Sequence, residues 1–247
     1  MAITAAASTS KLLHLGCGLT APAEWLNVDG SWNAWLAQRP LLKKAGMALR
    51  VVPRNKSEVP WPTNITIADL RKRLPFPDDS FDAVYSSHLI EHLHRDGALA
   101  LLGEARRVLR PGGVCRTLVP DLRKMVNDYV AGRAVDGDGR PVTTRVSSNG
   151  STAPHDVEDP ARAMCVRLMM RGEHSPRGGL LQRAYQAGVD FHSHKWMYDG
   201  PSLVNLMTEA GFTDCRERGF LETDIPHLDK VEMRGRYDDG VAVEGRK

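Results

Sequence analysis

The sequence predicts an α/β fold in which a mostly parallel sheet is covered by helices on both faces. Short apolar runs alternate along the chain with segments of helical periodicity. The first run, which contains Leu12, Leu13 and Leu15, ends at a turn with Gly16 and Gly18. The second run ends on Asp29. A glycine turn after one strand and an acid after the next predict a nucleoside-bearing ligand across the carboxyl ends of two strands.

The individual elements follow from periodicity and from helix-capping residues. Asp121 is predicted to cap one helix, and Asp199 or Gly200 to start another with Pro201 in its first turn. Pro40 interrupts a mixed segment in which Trp32 and Trp35 share one helical face. The predicted strands cover residues 11–15, 25–28, 64–68, 81–86, 114–119, 213–220 and 240–246, and the predicted helices cover 88–94, 97–109, 122–131, 161–170, 180–187 and 200–210.

Composition is typical of a soluble globular protein with one large domain, or one domain and a cap. The 247 residues are 42% hydrophobic and 26% charged. The net charge of +3 is too small to indicate nucleic acid or an anionic membrane as a partner. The four cysteines are far apart, and we expect neither a secretory leader nor a membrane span. The sequence therefore predicts a cytoplasmic protein, and it leaves the oligomeric state open.

The alternation of strands and helices breaks after the helix at 122–131. Residues 132–160 are rich in Gly, Ser, Thr, Asp and Pro without any period, which predicts a long mobile loop. The helices after it predict a small cap. We therefore divide the chain into a cofactor-binding half at 1–131, an insert at 132–195, and a completion of the sheet at 196–247.

Several motifs together resemble the class I S-adenosylmethionine-dependent methyltransferases, of the type 11-like branch with a shortened first helix. They are HLGCG at 14–18, the acid Asp29, DLRKRLPFPDDSFDAVYSSHLIEHL at 69–93, EARRVLRPGGVCRTLVPDL at 104–122 and SLVNLMTEAGF at 202–212. The resemblance implies a Rossmann-like, seven-stranded sheet whose last strand is antiparallel. It also implies S-adenosylmethionine as cofactor, bound at the carboxyl ends of the first four strands.

The same resemblance assigns cofactor contacts to individual residues. Gly16 and Gly18 would face the methionine part, and Asp29 would hold the ribose hydroxyls. Asp69 would accept from the adenine amino group beside Leu70. The remaining cofactor residues are His14 and Cys17 in the glycine loop and Ser86 and Ser87 after the fourth strand. This chain departs from the family at His14, where an acid is usual, and in the short spacing between Gly18 and Asp29.

The predicted reaction is methylation of a small-molecule or sugar-type acceptor, at oxygen or nitrogen. Methyl transfer from a sulfonium is a direct displacement, so the enzyme mainly aligns donor and acceptor. A hydroxyl acceptor also needs a base, and histidine suits that role near neutral pH. His88 follows the fourth strand, and His194 stands beside Trp196 and Tyr198 after the insert. We expect one of the two histidines to assist deprotonation. No residue is assigned to a metal.

Two other functions remain open at this point. His88-Leu-Ile-Glu91-His92 matches the inverted zinc-protease signature, in which both histidines would share a helix face and Glu91 would act as base. Bound zinc would favour that alternative. A non-catalytic, degenerate cofactor-binding domain is the other alternative, motivated by His14 and the short loop. Failure to bind S-adenosylmethionine would favour it.

Overall fold

The computed structural model describes residues 10–49, 59–136, 140–146, 155–169 and 193–247. The strands are β1 Leu12–Leu15, β2 Leu26–Asp29, β3 Ile65–Ile67, β4 Phe81–Ser87, β5 Leu109–Pro120, β6 Thr143–Val146, β7 His155–Glu158, β8 Thr213–Arg218 and β9 Gly240–Arg246. The helices are α1 Trp32–Ala37, α2 Pro40–Ala48, α3 Arg95–Val108, α4 Leu122–Val130, α5 Pro160–Met169, α6 Gly200–Glu209 and α7 Arg234–Tyr237, with 3₁₀ turns at Ile90–His92 and Leu228–Lys230.

The main sheet has seven strands in the order β3-β2-β1-β4-β5-β9-β8. Strands β1 to β5 are parallel, β9 is antiparallel to β5, and β8 is antiparallel to β9. This arrangement confirms the predicted seven-stranded, mostly parallel sheet. The strand order reverses between β1 and β4, and the crevice outside such a switch point is where open α/β sheets bind ligands.

Apolar side chains cover both faces of the sheet, as a parallel sheet requires. On one face Leu13 and Leu15 of β1 pack in a cluster with the buried sides of α3 and α6. On the other face Leu12 packs with Trp25 and Tyr85 and with residues of the C-terminal segment. Successive residues of β1 therefore point to opposite faces, and His14 lies on the same face as Leu12.

Local capping signals are confirmed at two helix starts. The Asp121 side chain accepts from the backbone N of Arg123 at 2.9 Å and caps α4. Asp199 and Ser202 form a capping box at the start of α6, with Pro201 in the first turn. A carboxylate at these positions satisfies N–H groups that the first helical turn leaves unpaired. None of the helices in the described ranges is both long enough and apolar enough to cross a membrane.

A buried ion cluster ties the C-terminal segment to the sheet. The Arg116 guanidinium on β5 donates to both carboxylate oxygens of Glu232 at 2.7 Å, and to Glu244 of β9 at 3.0 Å. Arg116 is completely buried, and the two glutamates are almost completely buried. Because each charge is compensated by direct hydrogen bonds, this cluster can be buried at all.

The part of the chain expected as a loop contains regular structure. Residues 132–160 include the antiparallel pair β6–β7, whose sequences TTRV and HDVE lack an apolar alternation that would have indicated strands. The helix expected at 161–170 is confirmed as α5, which packs beside α4. The helix expected at 180–187 lies outside the described residues, as does the N-terminal segment before Ser10.

Candidate active site

The glycine turn at the end of β1 lies at the carboxyl edge of the sheet. Gly16 has φ +67° and Gly18 has φ +55°, values that favour glycine. The backbone N atoms of Gly16 and Cys17 donate to the carbonyl of Val28 at 2.8 and 3.1 Å, which fixes the turn against β2. A Cβ at Gly18 would have no heavy atom within 4 Å. The turn therefore presents an open surface to the cleft beside it.

Asp29 links this turn to the helix that follows β2. Its Oδ2 accepts from the backbone N of Gly18 at 2.9 Å, and its Oδ1 accepts from the backbone N of Ser31 at 2.7 Å. The residue is only 6% exposed, yet it lines the cleft. A carboxylate has about four acceptor sites, so roughly two remain for the hydroxyls of a ribose. This geometry fits the predicted role of Asp29.

Asp69 lies after β3, at the same edge of the sheet. The Arg71 side chain donates to its two carboxylate oxygens at 2.8 and 3.0 Å, and this pairing lowers the pKa of Asp69. Leu70 is buried and also lines the cleft. An adenine amino group that binds Asp69 would share the carboxylate with Arg71.

The two serines at the end of β4 have different environments. Ser87 is buried and lines the cleft, which is compatible with a place in the floor near the sulfonium. The Ser86 hydroxyl donates to Oγ1 of Thr117 at 3.3 Å and is not part of the cleft lining in the described residues. Neighbouring residues of a strand point to opposite faces, so only one serine side chain can reach the floor.

The side chains of His14 and Cys17 lie away from the cleft, which corrects their predicted contacts with the cofactor. His14 is 2% exposed and packs against the rings of Trp25 and Tyr85, on the face opposite to the neighbouring leucines. Burial lowers the pKa of His14 to about 4, so the imidazole is neutral at pH 7. The Cys17 thiol is buried, and burial raises its pKa to about 12, with Asp29 adding to the effect.

Both histidines predicted as catalytic line the cleft. Nε2 of His88 lies 3.4 Å from the carbonyl of Arg236, and Nδ1 lies 3.5 Å from Oε1 of Glu91. Burial and the Arg236 charge lower the pKa of His88 to about 4. Nδ1 of His194 lies 3.1 Å from the carbonyl of Leu168 at the end of α5. Burial lowers the pKa of His194 as well, so both rings are available in the neutral form.

The structure contradicts the helical zinc-protease arrangement. A helix was expected from His88 to His94, but only Ile90–His92 form a 3₁₀ turn, and His88 has φ +51°. His88 and His92 therefore do not occupy successive turns of one helix face. Instead, a long-range contact brings His194 to Glu91 and His92, where the rings of the two histidines lie 5.1 Å apart.

Three tryptophans also line the cleft, a feature for which the sequence analysis assigned no function. They are Trp32, Trp35 and Trp61. Trp32 and Trp35 stack with ring centroids 4.6 Å apart and an interplanar angle of 19°, and the Arg39 guanidinium lies 4.0 Å from the Trp35 ring centroid. Trp32 is 48% exposed, and it follows Asp29 by only one helical turn. The closeness of Trp32 to Asp29 in the sequence was the signal that could have placed this tryptophan in the cleft.

The strand order and a cleft built from the glycine turn, Asp29 and Asp69 are those of a class I S-adenosylmethionine-dependent methyltransferase. Residues 13–117 match the family model of the type 11 methyltransferase domain. The protein is therefore a methyltransferase that carries this domain and uses S-adenosylmethionine. The open surface at Gly18 and the free acceptor sites of Asp29 fit that cofactor.

Two named proteins are similar to this chain. Methyltransferase GfsG of Streptomyces halstedii is 27% identical over 223 residues, which cover 81% of this chain and 73% of that protein. The uncharacterized methyltransferase C1B3.06c of Schizosaccharomyces pombe is 33% identical over 111 residues, which cover 43% of this chain and 39% of that protein.

Solved structures of methyltransferases resemble this chain over almost its whole length. An S-adenosylmethionine-dependent methyltransferase from Mesorhizobium loti matches with 20% identity and a TM-score of 0.42, covering 97% of this chain and 91% of its own. One from Archaeoglobus fulgidus matches with 13% identity and a TM-score of 0.44, covering 96% and 86%. These TM-scores are low, and the strand order, not the superposition, carries the fold assignment.

Proposed function

We propose that this enzyme transfers the methyl group to oxygen or nitrogen of a small-molecule or sugar-type acceptor. One observation carries the proposal: His88 and His194 line the same cleft as Gly16 and Asp29. His88 directly follows Ser87 at the end of β4, and the glycine turn directly follows β1, the neighbouring strand. An acceptor beside the histidines would therefore lie next to the methyl donor. The cofactor supplies a methyl group already activated by its sulfonium.

The protein side of the mechanism is mainly positioning. Asp29 holds the ribose, Asp69 the adenine, and the glycine turn leaves room for the methionine part. Trp32 and Trp35 form an apolar wall that excludes water from the donor. Alignment of donor and acceptor within a closed site contributes a large part of the rate enhancement in such displacements.

For a hydroxyl acceptor, we propose His88 or His194 as the group that takes the proton. A neutral imidazole can accept it, and both pKa values are lowered by burial, so neither ring is protonated near pH 7. The Leu168 carbonyl accepts from Nδ1 of His194, which leaves the lone pair on Nε2 for the proton. His88 stands directly after β4.

Acceptor choice is proposed to lie with the insert at 132–195, while 1–131 and 196–247 build the sheet and the cofactor site. Val135, Asp136, Arg140, Val166 and Arg167 of the insert line the cleft. Loops and helices at the carboxyl edge of an α/β sheet are the parts that vary with the substrate.

The cytoplasm remains the proposed location, to be tested by cell fractionation.

Calorimetric titration with S-adenosylhomocysteine tests the cofactor site first. Methyl transfer from labelled S-adenosylmethionine to a panel of small hydroxyl and amine acceptors then tests the reaction. His88→Ala and His194→Ala, singly and together, should keep cofactor binding and lose turnover on a hydroxyl acceptor. His94→Ala is the matched control, because His94 is exposed and its side chain makes no capping hydrogen bond. Unchanged turnover in the double variant would refute a histidine base.

A further inference from the structure

Glu91 is a buried carboxyl group whose oxygens lack hydrogen-bond partners among the described residues. The residue is 0% exposed, and neither carboxylate oxygen makes a hydrogen bond with the described residues. The neighbouring ring nitrogens are Nδ1 of His88, 3.5 Å from Oε1, and Nε2 of His92, 3.9 Å from Oε1. A buried carboxylate is stable only with a proton or a nearby cation, and a metal ion is one cation that could occupy this place.

His194 completes a cluster of three ligand-type side chains around this carboxylate. One potential ligand atom each from Glu91, His92 and His194 lie within 4.8 Å of one another. The backbone holds the two chain segments together: the carbonyl of Glu91 accepts from the N atoms of Lys195 at 2.7 Å and Trp196 at 3.2 Å. Backbone hydrogen bonds therefore hold the two segments that carry the cluster next to each other.

Two imidazoles and one carboxylate form a ligand set for a divalent transition metal. Imidazole nitrogen suits zinc, iron and similar ions, whereas magnesium and calcium prefer oxygen ligands throughout. A tetrahedral zinc site with bonds of about 2.1 Å has ligand atoms about 3.4 Å apart. Side-chain adjustments of less than about 1 Å would therefore bring these atoms onto one ion.

The surroundings of His194 match those of a metal-bound histidine. Metal-ligating histidines usually donate their other ring N–H to a carbonyl or carboxylate, which fixes the tautomer. Nδ1 of His194 has this partner, the carbonyl of Leu168 at 3.1 Å, so the Nε2 lone pair is left for a ligand. His92 and His194 both line the cleft, so an ion held by them would be accessible from it.

We propose that Glu91, His92 and His194 bind one divalent transition-metal ion, of the zinc type, at the acceptor end of the cleft. The inference rests on the proposed methyl transfer. An ion there would orient an acceptor hydroxyl and lower its pKa. The hydroxyl proton then passes to His88, the oxygen–methyl bond forms, and the methyl–sulfur bond breaks with its electron pair kept on sulfur. His194 serves as a ligand in this arrangement, and His88 remains as the base.

Zinc binding to the tag-free, chelator-treated protein tests the site directly. Calorimetry with ZnCl₂ should give one ion per chain, and substitution with Co²⁺ should give the visible absorption bands of a low-coordinate nitrogen and oxygen site. Glu91→Gln and His194→Ala should each weaken zinc binding by at least about tenfold, since even outer-shell changes cost that much. His94→Ala, an exposed histidine outside the cluster, should bind as the wild type does.

The outcomes separate this inference from the proposed function. Titration of every variant with S-adenosylhomocysteine reports the fold and the cofactor site independently of the metal. A wild type that binds S-adenosylhomocysteine but not zinc overturns the metal site and leaves methyl transfer in place. Zinc binding that is equally tight in Glu91→Gln and His194→Ala also overturns it. If Glu91→Gln fails to fold, His194→Ala decides, because His194 is only partly buried.

Discussion

Asp29→Asn should weaken cofactor binding and destabilise the fold by similar free energies. Asp29 accepts from two backbone N–H groups, those of Gly18 and Ser31, and its remaining acceptor sites are assigned to the ribose. Asparagine keeps the shape but has a single acceptor oxygen. At least one charge-assisted bond to the fold is therefore lost, which lowers the free energy of unfolding by about 1.5–3 kcal/mol.

The loss of one charge-assisted bond to a ribose hydroxyl has a similar size. At 1.4 kcal/mol for each factor of ten, about 1.5–3 kcal/mol raises the Kd for S-adenosylhomocysteine roughly 10- to 150-fold. The burial of Asp29 means that solvent screening reduces this effect little. Asp29→Ala should bind still more weakly, because both acceptor oxygens are removed.

Calorimetric titration gives the Kd, and urea unfolding without ligand gives the stability of the same protein. Asp214→Asn is the matched control: Asp214 is exposed on β8, and its φ of +51° is one that asparagine also adopts. The control should leave both quantities unchanged. An Asp29→Asn variant that binds S-adenosylhomocysteine as tightly as the wild type would refute the ribose assignment.

Three further variants test the fold and the turn. Arg116→Met removes the guanidinium hydrogen bonds of two buried glutamates and should lower the free energy of unfolding in urea by about 3–5 kcal/mol. A loss below about 1 kcal/mol would contradict the ion cluster. Gly16→Ala places a Cβ on a residue with φ +67°, 2.9 Å from Cδ1 of Leu89, and should lower the free energy of unfolding by about 1–2 kcal/mol. The control is Gly103→Ala within α3, where the added Cβ meets open space and the change should be neutral or stabilising. The pKa of His14 is about 4 in the folded protein, below its ordinary 6.5, so the unfolded chain takes up the proton first and stability falls as the pH drops from 6.5 to 4. His14→Leu should reduce that decline in the free energy of unfolding by up to about 3 kcal/mol, as measured by urea unfolding across this pH range. An unaltered pH profile would argue against a buried neutral ring.

Local sequence signals were enough to predict the helix starts and the turn that position the cofactor site. The capping residues Asp121 and Asp199 identified two helix starts, because an N-cap depends only on residues within one turn. Gly16, Gly18 and Asp29 identified the turn and the acid at the edge of the sheet. The order of the seven strands came from the resemblance to a family, since periodicity alone does not determine which strands pair.

The parts that were missed depend on tertiary contacts. Nothing near His194 in the sequence indicates that it meets Glu91, because the two residues lie far apart along the chain. His14 was assigned to the cofactor by motif position, whereas the strand face on which it lies faces an aromatic cluster. The alternation of side chains along β4 similarly separates Ser86 from the cleft.

The hydrogen bond from the His194 N to the Met169 carbonyl, 3.3 Å long, has a consequence for the engineering of this enzyme. It joins the chain positions that flank residues 170–192, so that stretch leaves and re-enters the described structure at adjacent points. The entropy of closing such an excursion changes by only about 0.6 kcal/mol when its length doubles. If the insert selects the acceptor, as proposed above, exchange of the stretch between Met169 and His194 for others of different length and sequence should alter the acceptor and leave the sheet and the cofactor site intact.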